Sequence, residues 1–318
     1  MSQARFIARR LVLAVGTLFG VSIVTFGITN ILPGDVATLI VGVEADPQRL
    51  EAIRQDLGLD QPIYIQYLEW LVGLFQGDMG ESMRFGDPVA ELIMQRFPAS
   101  AFLAVAAMIV AIATAIPLGV IAALGRDTWK DYGASVAAFV GISLPGFFWG
   151  LVLILIFARY TGLFPPAGYV SPADDPIGAL HHVALPALAL GFGLMAHLTR
   201  MTRSSLIDEL RAGYVELAKS KGLSDRWIIY RHALRNAFLP VLTVMGFQLA
   251  FLFGGVVVIE EVFAYPGLGS LAFAALENRD IPLIQGTVLV FAVVFVVSNL
   301  VVDFLYAILD PRVESGGA

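Results

Sequence analysis

The sequence predicts an all-α, polytopic membrane protein with six transmembrane helices and both termini in the cytosol. Three observations carry this expectation. Of 318 residues, 58% are hydrophobic and only 14% charged, with mean hydropathy +0.78, whereas a soluble domain carries about a quarter charged residues. Six apolar stretches are long enough to cross about 30 Å of hydrocarbon at about 1.5 Å per residue. Lys and Arg are also shared unequally between the connections, which sets orientation.

The chain opens with Arg5, Arg9 and Arg10 before the apolar run Leu11–Leu32. That run is too long for a signal-peptide core and lacks a small-residue cleavage site, so it reads as a retained first span. The other spans are predicted at Ala99–Leu124, Gly133–Tyr160, Val183–Met201, Leu239–Val262 and Leu283–Leu309. Backbone groups in lipid need internal partners, so helices are the form these lengths dictate. Pro117, Pro145 and Pro186 mark kinks or breaks. With Arg200 counted at a helix end, the segments 1–10, 125–132, 202–238 and 310–318 hold fourteen of the twenty basic residues, and they are therefore placed inside. The division follows: a cytosolic N-terminus at 1–10, helix 1 at 11–32, and an external loop with short helices at 33–98. Then come a core at 99–310, holding helices 2–6 and the inner loop 202–238, and a cytosolic tail at 311–318.

In the external loop, Asp46-Pro47 predicts a helix through about Leu57, as an N-cap followed by Pro at the first position. Gln61-Pro62 opens a second through Phe75, whose Tyr64, Tyr67 and Trp70 suit an interfacial helix at headgroup depth. Gly77-Asp78 and Gly86-Asp87-Pro88 break the chain. The second outer loop, Thr161–His182, reads as irregular, and Pro266-Gly267 as a turn in the third. Most acidic residues lie outside, among them Asp35, Glu44 and Glu51, and a solvated surface accounts for them.

The composition excludes much chemistry. Cysteine is absent, so disulfides, thiolate metal sites and Cys nucleophiles are ruled out. Lys130, Lys219 and Lys221 are the lysines, and none sits in a phosphate-binding G-x-x-x-x-G-K-[ST] loop. His181-His182 is a weak metal signal, and His197 and His232 read as hydrogen-bonded structural residues. Asp303 is the clearest ionisable residue within a span; pairing with a neighbouring helix or with an Arg of the inner loop is the plainer reading. Glu260-Glu261 is expected at the watery outer end of the fifth span. Gln248 and Asn299 either line a pathway or join helices, the second being the simpler role. Net charge −6 disfavours nucleic acid as a partner.

One polar island stands apart: Tyr214–Pro240, with Lys219, Lys221, Arg226, Arg231 and Arg235. Tyr214, Val215, Leu217 and Ala218 share one face of a short helix over 214–221. Lys219 and Lys221 suit its C-terminal dipole, and Gly222 suits a left-handed stop. Ser224 then reads as an N-cap with Asp225 in the first turn and a Leu223/Ile228 staple. So short a helix is marginal alone. A cytosolic docking surface is the inference.

The island resembles the EAA loop of ABC importer permeases, in the branch that serves dipeptides, oligopeptides and nickel. The resemblance runs from about Arg5 to Arg312. It is carried by RFIARRL at the start, LPGD at Leu32–Asp35, DLGLDQPIYIQYLEWL at Asp56–Leu71, GDMGESM at Gly77–Met83 and GISLPGFFWGL at Gly141–Leu151. LTRMTRSSLIDEL at Leu198–Leu210, the island itself, VFAYPGLGSL at Val262–Leu271 and DFLYAILDPRV at Asp303–Val313 complete it. Glu216, Leu217, Ala218 and Gly222 match the loop's E-A-A and G, and Tyr214, Lys219, Lys221 and Leu223 fall within the same element. Two positions depart from the pattern: Leu217 replaces the first Ala, and Leu234-Arg235 stands where an L-P pair is usual, with proline arriving at Pro240.

The resemblance implies a multi-pass subunit of the cell membrane, surrounded by lipid, that translocates peptides or a similar small solute. It implies a homologous second permease, two cytosolic ATPases holding ATP and Mg, and an external solute-binding protein. No catalytic, cofactor or metal residue is expected in this chain. An ion-coupled secondary transporter is the alternative, and an intramembrane enzyme or assembly factor a third. Phe147, Phe148 and Trp149 are guesses for a solute path.

Overall fold

A computed structural model describes residues 3–31, 47–56, 58 and 60–309. The LPGD stretch, Asp46, Leu57 and the tail 311–318 lie outside the described residues. The described residues form helices and loops, with one isolated bridge, Glu81 to Pro88, and no extended strand among them. Helix α1 spans Gln3–Ile31, α2 Pro47–Asp56, α3 Ile63–Phe75, α4 Val89–Leu124, α5 Trp129–Ser143 and α6 Gly146–Leu153. After them come α7 Pro176–Leu210, α8 Gly213–Ser220, α9 Asp225–Trp227, α10 Leu234–Val262, α11 Leu268–Glu277 and α12 Ile281–Leu309. Helices α1, α4, α7 and α12 are each long and apolar enough to cross a membrane, and the number rises to six when each of two bent pairs is counted as one span. "Inner" below means the end that the basic residues assign to the cytosol.

Several boundaries move from the sequence expectation. Helix α4 starts at Val89, ten residues before Ala99, and carries Pro98 as well as Pro117 inside it. Glu91 and Arg96 make those first turns look hydrophilic, which hides them from an apolar-run criterion. Helix α7 begins at Pro176, where the expected irregular loop still runs. Asp175 caps it, its Oδ1 accepting from Ile177 N at 3.1 Å and Gly178 N at 3.0 Å. At its inner end α7 continues past Met201 to Leu210, so most of the inner segment 202–238 is helical.

The third span is broken. Leu144 is extended and Pro145 starts the next helix, so α5 and α6 meet at 99°. A break inside a span frees backbone carbonyls that lipid cannot satisfy. Trp149 answers part of this: its Nε1–H donates to the Gly141 carbonyl at 3.1 Å, and its ring packs edge-on to Phe192 at 5.3 Å. Trp149 is thus a brace across the break. Phe147 and Phe148 are both exposed.

Helices α4 and α7 make the most extensive packing pair. Ala107 and Ala111 of α4 are fully buried, and small residues let backbones approach closely where no hydrophobic drive separates helix from lipid. A Cβ on Gly191 would sit 2.7 Å from Val110 Cγ1 and 3.2 Å from the Ala107 carbonyl oxygen. The expected interfacial helix α3 rests against α1: Tyr67 OH shares a 2.8 Å hydrogen bond with Ser22, and Tyr67 and Trp70 contact Phe26.

The outer end holds the clearest reversal. Glu260, expected in water, is fully buried. The Ser100 hydroxyl donates to its Oε1 at 2.5 Å and Ser270 N to its Oε2 at 2.8 Å, while Leu268 N donates to Ser100 Oγ at 2.7 Å. A buried carboxylate without such donors would cost several kcal/mol. The turn at Pro266-Gly267 is present, with Gly267 N donating to the Tyr265 carbonyl at 2.8 Å, but it leads into α11, a helix the sequence reading missed. Glu260 therefore ties α4, α10 and the start of α11 together.

The glycine contacts give a paired prediction. Gly191→Ala forces α4 and α7 apart and should destabilise the protein by about 1–3 kcal/mol. Gly193→Ala, where a Cβ meets nothing within 4 Å, should stay within about 0.5 kcal/mol. Thermal unfolding of the two purified variants checks it.

Candidate functional site

The island folds as two short helical pieces hung from the inner ends of α7 and α10. Helix α7 stops at Leu210, and Ala212 is extended (φ −68°, ψ 143°) before α8 begins at Gly213. Helix α8 occupies 213–220, one residue earlier than expected at each end. Its stop is a Schellman motif: Leu223 N donates to the Ala218 carbonyl at 3.2 Å and Gly222 N to the Lys219 carbonyl at 2.9 Å. Gly222 has φ +79°, a left-handed conformation that suits glycine. Ser224 then caps α9, its Oγ accepting from Trp227 N at 3.4 Å. A π-helical segment, Ile228–Ala233, carries α9 into α10.

The predicted residues separate into those that fix α8 and those that α8 displays. The Tyr214 hydroxyl donates to Glu209 Oε2 at 2.6 Å, and Asn236 Nδ2 reaches both partners at 3.3 and 3.4 Å. This network pins α8 to α7 and α10. Val215 is buried, while Leu217 is 57% exposed. The shared face expected of Tyr214, Val215, Leu217 and Ala218 is therefore split, with Val215 turned to this chain and Leu217 to the outside. Glu216 and Lys221 are exposed, and Leu223 is 40% exposed although its expected staple partner Ile228 is buried. Lys219 pairs with Asp225 at 3.3 Å, an exposed contact of little energetic weight.

In the segment after α8 the structure also exposes Trp227 and Tyr230, with Arg231 over the Trp227 ring at 5.8 Å. Sequence reading passed over these, although Trp227 and Tyr230 stand three apart. Apolar side chains projecting from a basic, water-facing element make a surface ready for a protein partner.

A second feature escaped the sequence reading. Arg203 grips Asp131 in a two-pronged pair, Nε to Oδ1 and Nη2 to Oδ2, both at 2.6 Å. Asp131 is only 4% exposed, and its Oδ2 also accepts from Asp127 N at 3.1 Å. Planar Arg–carboxylate pairing fixes orientation as well as distance. It joins the start of α5 to the stretch of α7 that leads into α8.

Other candidates resolve simply. Asp303 pairs with Arg10 of α1 at 3.0 Å, the neighbouring-helix reading. His181 Nε2 donates to the Leu163 carbonyl and His182 Nδ1 to the Gly178 carbonyl. No group of three metal-ligating side chains forms among the described residues. Asn299 bonds its own helix at the Phe295 carbonyl. Gln248 joins two helices, its Nε2 donating to the Leu194 carbonyl at 3.2 Å. His197 and His232, expected to be hydrogen-bonded, make no hydrogen bond among the described residues, and His197 faces a cavity with Arg200.

Known proteins resemble this chain along most of its length. The family model described as "Binding-protein-dependent transport system inner membrane component" matches residues 115–315, and its N-terminal counterpart matches residues 3–104. A putative peptide transport system permease protein of Brucella suis biovar 1 (strain 1330) is 42% identical over 308 residues, 97% of this chain and 98% of that protein. The glutathione transport system permease protein GsiC of Escherichia coli (strain K12) is 42% identical over 309 residues, with the same coverage. Among solved structures, an inward-facing MetNI methionine ABC transporter superposes with TM-score 0.56 at 17% identity, covering 69% of this chain and 96% of that one. This last likeness speaks to the fold.

Two outcomes test the loop. Gly222→Ala places a side chain at φ +79° and should cost about 1–2 kcal/mol locally, seen as faster amide exchange over 213–223. Gly213→Ala, with open space around its Cβ, should not accelerate it. Burial and the Glu209 contact push the Tyr214 hydroxyl up to about 12. A raised folded-state value means the contribution is complete below the ordinary tyrosine pKa of about 10. It is lost as pH rises through about 12. The Tyr214→Phe difference in absorbance near 295 nm reads that titration.

Proposed function

The chain belongs to the family of binding-protein-dependent transport system inner membrane components, and on that premise we propose that it is the membrane permease of an ATP-driven importer of peptides or a similar small solute. The observation that carries this reading is near-complete alignment, at 42% identity, with permeases named for peptide and glutathione transport. Those relatives lend nothing to the alternative of an ion-coupled carrier. The chain is a multi-pass protein of the cell membrane and supplies the pathway.

In this reading ATP and Mg are bound by two cytosolic ATPase subunits, a homologous second permease completes the channel, and an external binding protein delivers the solute. Helix α8 is the coupling element, with Leu217 and Leu223 meeting an ATPase groove and Glu216 and Lys221 setting its charge pattern. Nucleotide binding favours one arrangement of the permease because certain ATPase contacts exist only there. The physical support is the way α8 is held. Tyr214, Glu209 and Asn236 fasten it to two spans, so a displacement of α8 is passed to α7 and α10. The Asp131–Arg203 fork carries the same displacement to α5.

Gly222→Pro or Glu216→Lys should uncouple ATP hydrolysis from uptake, lowering uptake of labelled peptide at least about tenfold, a loss of roughly 1.4 kcal/mol of coupling, while insertion is unchanged. Proteoliposomes holding the permease pair and ATPases, with binding protein added outside, provide the assay. Unaltered transport in both variants would remove α8 from this role.

A further inference from the structure

Helix α10 runs from Leu234 to Val262, yet the axis of the stretch Asp225–Leu249 meets that of Gly254–Val262 at 60°. Kinks this sharp arise at proline, at small-residue pairs or at π-bulges. Pro240 and the π-helical segment lie well before the turn, and Gly254-Gly255 stands at it. Packing does not account for this pair. A Cβ on Gly246, earlier in α10, would sit 2.4 Å from Val302 Cγ2 of α12, so that glycine serves a close contact. Gly254 and Gly255 are exposed, and a Cβ on either meets nothing within 4 Å. Glycine inside a helix gives up the backbone restraint that alanine provides, and here no contact is gained in return.

The two sides of the pair are held to different parts of the molecule. Beyond it, Val256 and Ile259 are buried, and Glu260 accepts from Ser100 of α4 and Ser270 N of α11. A Cβ on Gly269 of α11 would stand 2.6 Å from Val257 Cα, so the backbones of α10 and α11 meet there. Before the pair, Asn236 reaches Glu209 and Tyr214, which fasten α8. Ala237 and Val241 make the buried apolar contacts of this inner half with α4 and α7, and side chains so small let packed helices slide. The Gln248 tie to the Leu194 carbonyl of α7 falls next to the glycine pair, where a swing displaces least.

We propose that Gly254-Gly255 is a pivot within α10, about which the inner half follows α8 while the outer half stays with Glu260. The inference rests on the permease reading above and names the quantity that α8 controls, the bend of α10. A displacement entering at Tyr214 and Asn236 becomes a change of angle inside the membrane. The outer tie of Glu260, Ser100 and Ser270 stays intact throughout. Close approach by the second permease is the other use for exposed glycines, and the two uses have different consequences when side chains are added.

The test uses the full permease–ATPase complex in nanodiscs for distances and in proteoliposomes, with binding protein outside, for uptake. The chain has no cysteine. Arg235→Cys and Val258→Cys, both at exposed positions, therefore place two spin labels across the pivot when the partner subunits are cysteine-free. In a straight helix these positions lie about 34 Å apart, and a 60° bend shortens that by about 3 Å. Double electron–electron resonance should show the mean separation changing by at least about 2 Å when ATP and vanadate are trapped. Gly254→Ala/Gly255→Ala should hold one separation in both states and lower uptake of labelled peptide about fivefold or more, with ATP hydrolysis retained. Gly193→Ala, equally open in α7, should change neither readout. A wild-type separation indifferent to nucleotide would overturn the pivot, as would full uptake by the double-alanine variant. Loss of the second permease from that variant on purification would assign the glycines to the subunit interface and also overturn it. A wild-type complex that changes its separation with nucleotide but takes up no peptide would leave the pivot standing and remove the peptide reading.

Discussion

The close approach of α4 and α7 is the constraint on which the other features depend. Lipid offers no hydrophobic reward for pairing helices, so their contact rests on packing density and on hydrogen bonds. Ala107, Ala111 and Gly191 present almost no side chain there, and the backbones meet nearly directly. Once these helices are fixed, their far ends are fixed too. At the outer end Ser100 of α4 meets Glu260. Toward the inner end, Arg203 of α7 meets Asp131.

Those two polar ties differ in physical kind. Glu260 is buried without a cation and is held by hydroxyl and backbone donors at the start of α11, an arrangement that tolerates little movement. The Arg203–Asp131 fork is charge-assisted and partly open on the Arg side, so it transmits orientation where the protein meets solvent. Between them α7 is a single uninterrupted helix from Pro176 to Leu210. It runs past the cavity at His197 and Arg200 and ends two residues before α8. The wall of that cavity and the hinge into α8 therefore belong to one continuous helix.

Much of this was legible from residues alone. The spans follow from apolar length, and Pro145 announced the break between α5 and α6. Gly222 and Ser224 marked the stop of one short helix and the start of the next, and both took the predicted conformation. Local backbone chemistry decides such features, because a left-handed residue or an N-cap depends on neighbours three or four positions away. The errors had a different source. The ends of α4 and α7 carry charges that end an apolar run without ending a helix. Helix α11 was missed because the Pro-Gly turn before it dominated its reading.

By itself the sequence determined that the chain is a helical membrane bundle and where a basic, glycine-stopped element interrupts it. Composition, helix length and turn chemistry are local quantities and can be read in order. Only the tertiary structure decided which side of each helix is spoken for. It buried Val215 and turned Leu217 outward, took Glu260 out of water, and left Arg200 facing a cavity without a counter-charge. Each outcome depends on side chains from distant helices, such as Ser100 against Glu260, and no spacing along one helix encodes which neighbour will arrive.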